Sequence, residues 1–561
     1  MAVTERKKKQ PETNHSKWFL PAAILIICIS IFSLYHTLLS NDFLDLDDST
    51  LIVKDYSFLQ HFNNIPKAFT QGVFQLPNQK DTLASYYRPV MTLSFMVDAH
   101  LSNTSGTYPN PLPFLKANIF YHGLACILLL LLLLQLQVAR LPSLLLTLIF
   151  AVHPLLNQAV AWIPGRNDSL LAIFILLSLL SLIKYRASKK GRTFALHILF
   201  FLLALFTKEN AVLFIPAIFI LLRSVFKEPF TNPLYKKLVL AYLLCIIPWL
   251  LIRQHALALN NSHSSAKSML HSFISNSPYF IQYAGKAILP FNLSVFSTAA
   301  DTNYLIGLAA ILLVGAFLFF SKQKKMALVM FGLLWFLLFL IPSFFSGFSG
   351  LEHRAYLPLI GIILILSQVD MVKNAGILPV NSKAGLVLLL ITVVEFYSVS
   401  ASRLPIFHDR FSFDKSAVET SPKAVLPCMY LAQHYEQIGD YQHAIEAYRE
   451  ALKRDSTVEN AHSNIAGEYI HLNDYPDAEK ELRKELYFHP NNNVAVFNLG
   501  LVVFQGDSNE RDGVALWKKS LAIDSGFIKP YKVLYQYYQL MGDSQNTKLY
   551  RNLYLKKQNQ L

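Results

Sequence analysis

Apolar positions run through the first four hundred residues in long, almost unbroken blocks, and polar positions collect between the blocks. The blocks are 18–39, 114–137, 143–163, 169–186, 194–207, 210–224, 238–254, 302–320, 326–345, 355–369 and 384–400. A helix needs about 20 apolar residues to cross about 30 Å of hydrocarbon. The pattern therefore predicts about 11 membrane spans, three of them short enough to be tilted or broken. After Ala417 the blocks stop, and apolar residues recur instead at helical spacing on otherwise polar segments.

That second pattern repeats with a period of 34 residues. Leu431, Ala432, Tyr435, Gly439, Ala444, Tyr448 and Ala451 occupy the positions of a tetratricopeptide helical hairpin. One period later stand Ile465, Ala466, Tyr469, Asn473, Ala478 and Leu482, closed by Pro490. A third unit carries Leu499, Gly500, Trp517 and Ser520 with one inserted residue. A fourth, degenerate unit with Leu534, Tyr535, Tyr538 and Gly542 is expected to cap the array. Small residues let the two helices of a hairpin approach, and the aromatics fill the space between hairpins. The predicted fold class is all-α: a polytopic transmembrane helix bundle followed by a C-terminal tetratricopeptide-repeat α-solenoid. Such solenoids present grooves to partner proteins.

Composition sharpens this division. The chain is 53% hydrophobic and 15% charged, against roughly a quarter charged in soluble proteins. The formal net charge of +14 sits in short clusters between apolar blocks, at Arg6–Lys9, Lys184–Arg192, Arg223–Lys237 and Lys322–Lys325. Cytoplasmic loops have this character, and the distribution argues against nucleic acid as a partner. Four cysteines, three inside apolar blocks, build no disulfide framework. The first block is too long for a signal-peptide core and reads as an uncleaved span. Strict alternation from a cytoplasmic tail at 1–17 puts every basic cluster inside and the loops 40–113 and 253–301 outside. Both long loops are expected to fold into short interfacial helices. The expected division is thus a membrane domain over 18–400, a linker over 401–424 and a repeat domain over 425–561, the last on the non-cytoplasmic side.

Ionisable residues at membrane depth are costly unless paired or wet, and the outer ends of the spans collect many. Asp47 and Asp48 follow the first span. His153, Asn157, Arg166 and Asp168 lie between the third and fourth, Lys208 and Glu209 join the fifth and sixth, and Glu352, His353 and Arg354 open the tenth. Singly, each has a structural reading as a cap, an interfacial ion pair or a hydrogen-bonded core histidine. Together on one face, they suit an anionic ligand and a proton-abstracting carboxylate. HExxH, Walker A, GxSxG and GxGxxG motifs are absent from the sequence, so a transferase of this kind takes its donor from the lipid or from outside.

The stretches "NDFLDLDDSTLIVKD", "YYRPVMTLSFMVD", "LIFAVHPLLNQAVAWIPGRNDSLLAIFILLSLL", "LALFTKENAVLFIPAIFILL", "YAGKAILPFNLSVF" and "LEHRAYLPLIGIILIL", followed by the repeats, carry a family pattern. Their order resembles the transmembrane-and-tetratricopeptide-repeat protein O-mannosyltransferases, within the GT-C superfamily. The likeness runs from residue 18 to about 555 and departs at Gln158, where an acidic residue is common, and at His353, where an acidic or other residue often stands. It implies inverting transfer of a mannose-like hexose from a polyprenyl-phosphate donor to hydroxyls, Ser/Thr of proteins above all. In that scheme Asp47 or Asp48, the latter preferred, is the base. Arg166, Lys208 and Arg354, with Arg88 as a weaker candidate, serve the departing lipid phosphate, and His153, Asp168, Glu209 and His353 support them. No metal ligand set is assigned, although a divalent metal stays possible. The setting expected is a bacterial inner membrane with the repeats in the periplasm. A glycan- or lipid-modifying envelope transferase and a non-catalytic membrane-anchored scaffold are the alternatives.

Overall fold

A computed structural model describes residues 15–44, 46–74, 86–102, 108–257, 266–298, 301, 303–345, 350–375, 380–506 and 509–558. The basic cluster Arg6–Lys9 lies outside them. The described residues form α-helices joined by short 3₁₀ and π turns, with no strand among them. The chain divides into two compact units, Met1–Phe413 and Asp414–Leu561.

In the first unit six helices are long and apolar enough to cross a membrane: Lys17–Ser40, Leu112–Gln135, Ile163–Ser188, Pro233–Ala256, Met326–Phe345 and Lys383–Phe407. A bent pair, Arg140–Ala151 and Pro154–Ala161, makes a seventh if it is one span; the bend is 48°. It falls at His153-Pro154, where the proline has no N–H to continue the helix. Length and composition thus support six or seven spans, and the other four of the expected eleven rest on short or broken helices. Gly191–Thr207 and Tyr304–Phe320 have 17 residues each and Tyr356–Leu366 has 11. Residues 209–225 break into a 3₁₀ turn, a seven-residue helix and a π turn. Eleven residues of helix rise only about 17 Å.

Helices come close where glycines meet. A Cβ on Gly332 would lie 2.6 Å from the Gly361 carbonyl oxygen, so only glycine lets Met326–Leu340 and Tyr356–Leu366 cross there. Both long loops fold into short helices. In 40–113 they are Tyr56–Leu59, Ile65–Thr70 and Pro89–Ser102, packed around a core that includes Ile52, Leu59, Phe95 and Phe114. In 253–301 they are Ala266–Asn276 and Tyr279–Lys286. Phe273 stacks on Phe345, with centroids 5.2 Å apart, and ties the first of these to the end of the Met326–Phe345 helix.

The second unit contains four helical hairpins: Leu426–Gln437 with Tyr441–Arg454, Ala461–His471 with Tyr475–Phe488, Asn493–Gln505 with Glu510–Ile523, and Ile528–Leu540 with Ser544–Gln558. Asp440, Asp474 and Asn509 cap the second helices of the first three through side-chain oxygens. The turns need a left-handed residue, supplied by Gly439 at φ 77°, Asn473 at 60° and Gly542 at 72°. Ala432, Ala444, Ala466 and Ala478 are fully buried where paired helices touch. The extra residue of the third unit falls in the turn 506–509, part of which lies outside the described residues. Residues 401–424, expected as a linker, are themselves largely helical, including Arg410–Thr420.

One buried carboxyl in this unit gives a pH-dependent expectation. Glu468 is 1% exposed, and its Oε2 has no hydrogen-bond partner among the described residues. Burial, with the nearby Glu436 charge, pushes its pKa up to about 7. The folded state then bears no cost from this group below its ordinary value, a growing cost up to about pH 7, and the full cost above it. Glu468→Gln should therefore stabilise residues 414–561 at pH 8 by about 1–2 kcal/mol, read as a higher Tm by circular dichroism. No gain is expected at pH 4.5; an equal gain at both pH values would refute the assignment.

Candidate active site

The acidic pair after the first helix is split by the fold: Asp47 is exposed and Asp48 is fully buried. The segment is fixed beforehand by Asn41, whose Nδ2 donates to the Phe407 carbonyl oxygen at 2.7 Å. The chain then turns so that Leu44 N–H donates to Asp48 Oδ2 at 2.8 Å. Trp162 Nε1–H donates to the other oxygen, Oδ1, also at 2.8 Å. Burial pushes the Asp48 carboxyl up to about 6; the Leu44 and Trp162 donors oppose that rise, and the Asp47 charge adds to it. The result is a carboxylate that is ionised at neutral pH yet holds a proton more readily than a solvated one, the property a general base needs.

Behind Trp162 stands His353, with ring centroids 5.3 Å apart. Both His353 N and Nδ1 reach Gln158 Oε1, at 3.2 and 3.1 Å. Gln158 Nε2 donates to the Val295 carbonyl oxygen at 3.2 Å. The amide is used as donor and acceptor at once; a carboxylate at 158 would set an oxygen against the Val295 carbonyl. The two departures from the family pattern are therefore in direct contact. Burial, followed by the charges of Arg354, Lys208 and Arg88, holds His353 well below the usual histidine range, so its ring is neutral.

The cations are distributed differently from their order along the chain. Lys208 Nζ pairs with Asp168 Oδ1 at 2.7 Å, with side chains 12% and 6% exposed. Glu209 pairs instead with Arg88, at 3.5 Å. The Arg88 guanidinium lies over the Tyr86 ring, 4.3 Å from its centroid. Burial lowers the Lys208 pKa against the pull of Asp168. Burial would raise Glu209, but Arg88 with its neighbours outweighs that and lowers it. Asp168 Oδ2 is buried with no hydrogen-bond partner among the described residues. Arg354 Nη1 donates to the Ser343 carbonyl oxygen at 3.2 Å. The Arg88 charge acts on Asp47, and those of Arg88, Lys208 and Arg354 act on His353. Arg88, Lys208 and Arg354 thus share an electrostatic neighbourhood with His353, and Asp48 meets it through Trp162, which packs against the His353 ring.

Arg166 is placed otherwise. It is fully buried and forms an ion pair with Asp98. It also donates to Asn118 Oδ1 at 2.8 Å, Ser94 Oγ at 3.2 Å and the Phe114 carbonyl oxygen at 2.8 Å. Phe95 covers its face at 4.7 Å. Its guanidinium is committed to the loop core. His153 is likewise a tie: Leu155 N–H donates to its Nδ1 at 3.3 Å, so its Nε2–H faces the Ala287 carbonyl oxygen at 3.2 Å.

Trp162, Asp98, Asn118, Lys286 and Arg403 were not singled out from the sequence. Glu352 Oε2 accepts from Arg403 at 2.7 Å, while its Oε1 accepts from Ser294 N–H at 2.8 Å and meets Lys286 at 3.6 Å. Asp98 did carry a signal, a charge inside the apolar stretch "SFMVDAH". Trp162 carried none, because an indole in an apolar run reads as packing. Among the described residues no group of three or more His, Cys, Asp or Glu side chains is placed to hold a metal ion.

The tetratricopeptide repeat family matches residues 425–457. Among curated proteins, the mouse protein O-mannosyl-transferase TMTC4 is 35% identical over 147 residues, which is 24% of this chain and 19% of that protein. The chain therefore spans about a fifth of that relative's length. Among solved structures, MamA from Desulfovibrio magneticus RS-1 (residues 41 to the end) is 18% identical, over 27% of this chain and 85% of that one, at a TM-score of 0.24. The human IFIT1 dimer with PPP-AAAA is 12% identical, over 71% and 94%, at 0.20. The chain is thus an all-α, multi-pass membrane protein by its helices, carries a tetratricopeptide repeat, and is distantly similar over part of its length to a protein O-mannosyl-transferase.

Proposed function

We propose that this protein is a membrane glycosyltransferase that moves a mannose-like hexose from a polyprenyl-phosphate donor to Ser/Thr hydroxyls of proteins, on the non-cytoplasmic face and with inversion. The observation that carries the reading is Asp48, a buried carboxylate whose two oxygens are each held by an N–H donor. The acceptor hydroxyl gives its proton to Asp48 as its oxygen bonds to the anomeric carbon. The bond from that carbon to the phosphate oxygen breaks, and lipid phosphate leaves as a dianion. Lys208, Arg88 and Arg354 are the cations positioned to meet it; Arg166, which led the cations in the sequence analysis, is assigned a structural role instead. Asp168 and Glu209 position Lys208 and Arg88, and His353 supports Trp162. The proposed topology keeps the eleven crossings, a cytoplasmic N-terminus and periplasmic repeats in a bacterial inner membrane, with the repeats holding the acceptor protein.

The test uses the full chain in nanodiscs with undecaprenyl-phosphate-linked mannose labelled in the sugar and Ser/Thr-containing envelope proteins. Transfer of label to protein, with inverted anomeric configuration, is the expected outcome. No transfer, together with an unchanged envelope glycoproteome in a deletion strain, would remove the enzyme reading in favour of a scaffold. Removing 417–561 should abolish transfer to protein; survival of transfer in that truncation would favour a glycan or lipid acceptor.

A further inference from the structure

We propose that Trp162 is a positioning residue for the Asp48 base, held in place by a chain of contacts that runs through His353 and Gln158 to Val295. The proposal rests on the reading of Asp48 as the base and adds how that base is oriented. Leu44 N–H and Trp162 Nε1–H each hold one carboxylate oxygen at 2.8 Å, which fixes the side chain in one orientation. An indole has one N–H donor and no acceptor, so this contact is stronger to the ionised carboxylate than to the protonated one.

The indole is itself immobilised. The His353 ring packs 5.3 Å from it, and His353 is pinned through both N and Nδ1 to Gln158 Oε1. Gln158 is anchored to the Val295 carbonyl oxygen, in the segment between the helices Tyr279–Lys286 and Tyr304–Phe320. Because Nδ1 donates to Gln158, the neutral His353 keeps its lone pair on Nε2, and no positive charge stands behind the indole. The charged or titratable groups around Asp48 are Asp47 on its own segment, Arg88 acting on Asp47, and the neutral His353 behind Trp162. Four segments far apart in sequence thus converge on one carboxylate, and a shift of the loop around Val295 would reach the base through this chain.

The experiment is Trp162→Phe in the full-length protein, which keeps an aromatic ring against His353 and removes the N–H. Initial rates of hexose transfer are measured from pH 4.5 to 9, and the Asp48 carboxyl is titrated by infrared difference spectroscopy, using the spectrum that Asp48→Asn removes as the assignment. The acid limb and the carboxyl titration should both move up by about one pH unit, with the alkaline plateau retained within about tenfold. If Trp162→Phe folds and neither moves, while Asp48→Asn is inactive, the positioning role is refuted and the base stands. If Asp48→Asn is active, the base reading fails instead. Should Trp162→Phe not fold, the wild-type protein labelled with 5-fluorotryptophan decides. One of its five tryptophan resonances should titrate with the Asp48 midpoint and stop doing so in Asp48→Asn. Five pH-independent resonances would overturn the proposal.

Discussion

Asp48→Asn should lower kcat for the proposed hexose transfer by about 10²–10⁴-fold, the usual contribution of a positioned general base, and leave donor affinity near wild type. The amide keeps the shape of the carboxylate and one acceptor oxygen, so either Leu44 N–H or Trp162 Nε1–H remains satisfied. The other then faces an NH₂ group, at a cost of about 1–3 kcal/mol for the unmade bond. The variant should still run as a folded peak on size exclusion in detergent. On the proposed reading, activity needs the ionised form of a group whose pKa burial has pushed up to about 6. The rate should therefore be level above that value and fall about tenfold per pH unit below it. Asp47→Asn separates the two acids. Asp47 is exposed and its charge raises the Asp48 pKa, so its removal should keep most activity and move the acid limb down. Full activity in Asp48→Asn with loss in Asp47→Asn would exchange the assignments.

Arg166→Met should unfold the loop core. It leaves the Asp98 carboxylate buried and unpaired, and breaking a buried pair from one side costs about 3–5 kcal/mol. Asn118, Ser94 and the Phe114 carbonyl lose their donor as well. Arg166→Lys should rescue little, because one ammonium cannot reach acceptors arranged around a planar fork. The double variant Arg166→Met with Asp98→Leu should recover much of the loss, since an apolar replacement of the whole pair removes the stranded charge. Thermal unfolding of the detergent-solubilised protein, followed by tryptophan fluorescence, measures all three. If Arg166→Lys melted like wild type and instead raised the KM for the lipid donor, the arginine would belong with the phosphate, as its place in the sequence first suggested.

The electrostatic pairs show where sequence reasoning stopped. Lys208 and Glu209 are neighbours in the chain and invite an ion pair with each other. The fold gives Lys208 to Asp168 and Glu209 to Arg88. Arg166 and Asp168 lie two residues apart, yet one points to Asp98 and the other to Lys208. A helix places residues two apart on different faces, so each found its partner on a different neighbouring segment. Gln158 and His353 were visible as two separate oddities, and only packing brought them within hydrogen-bond distance. The span count shows the same limit from another side. An apolar run records only that a segment avoids water. It cannot say whether backbone geometry at Pro154 or Phe214 lets the helix continue.

What the sequence determined alone was local. The repeat units were legible because each residue's environment recurs one period later. The left-handed turn at Gly439 and Asn473 and the buried alanines at 444 and 478 all depend on contacts within a hairpin or with the next one. The apolar blocks announced helices, and the acidic pair, the cations and the histidines were named as a set. Tertiary structure alone decided that Asp48 is enclosed and Asp47 is not, that Trp162 holds the enclosed one, and that Arg166 is spent on Asp98. The physical reason is that burial and pairing of a charge depend on which segments lie against it. Here those segments are separated by more than sixty residues, with Asp48 to Trp162 at 114 and Arg166 to Asp98 at 68. No pattern within one segment encodes that.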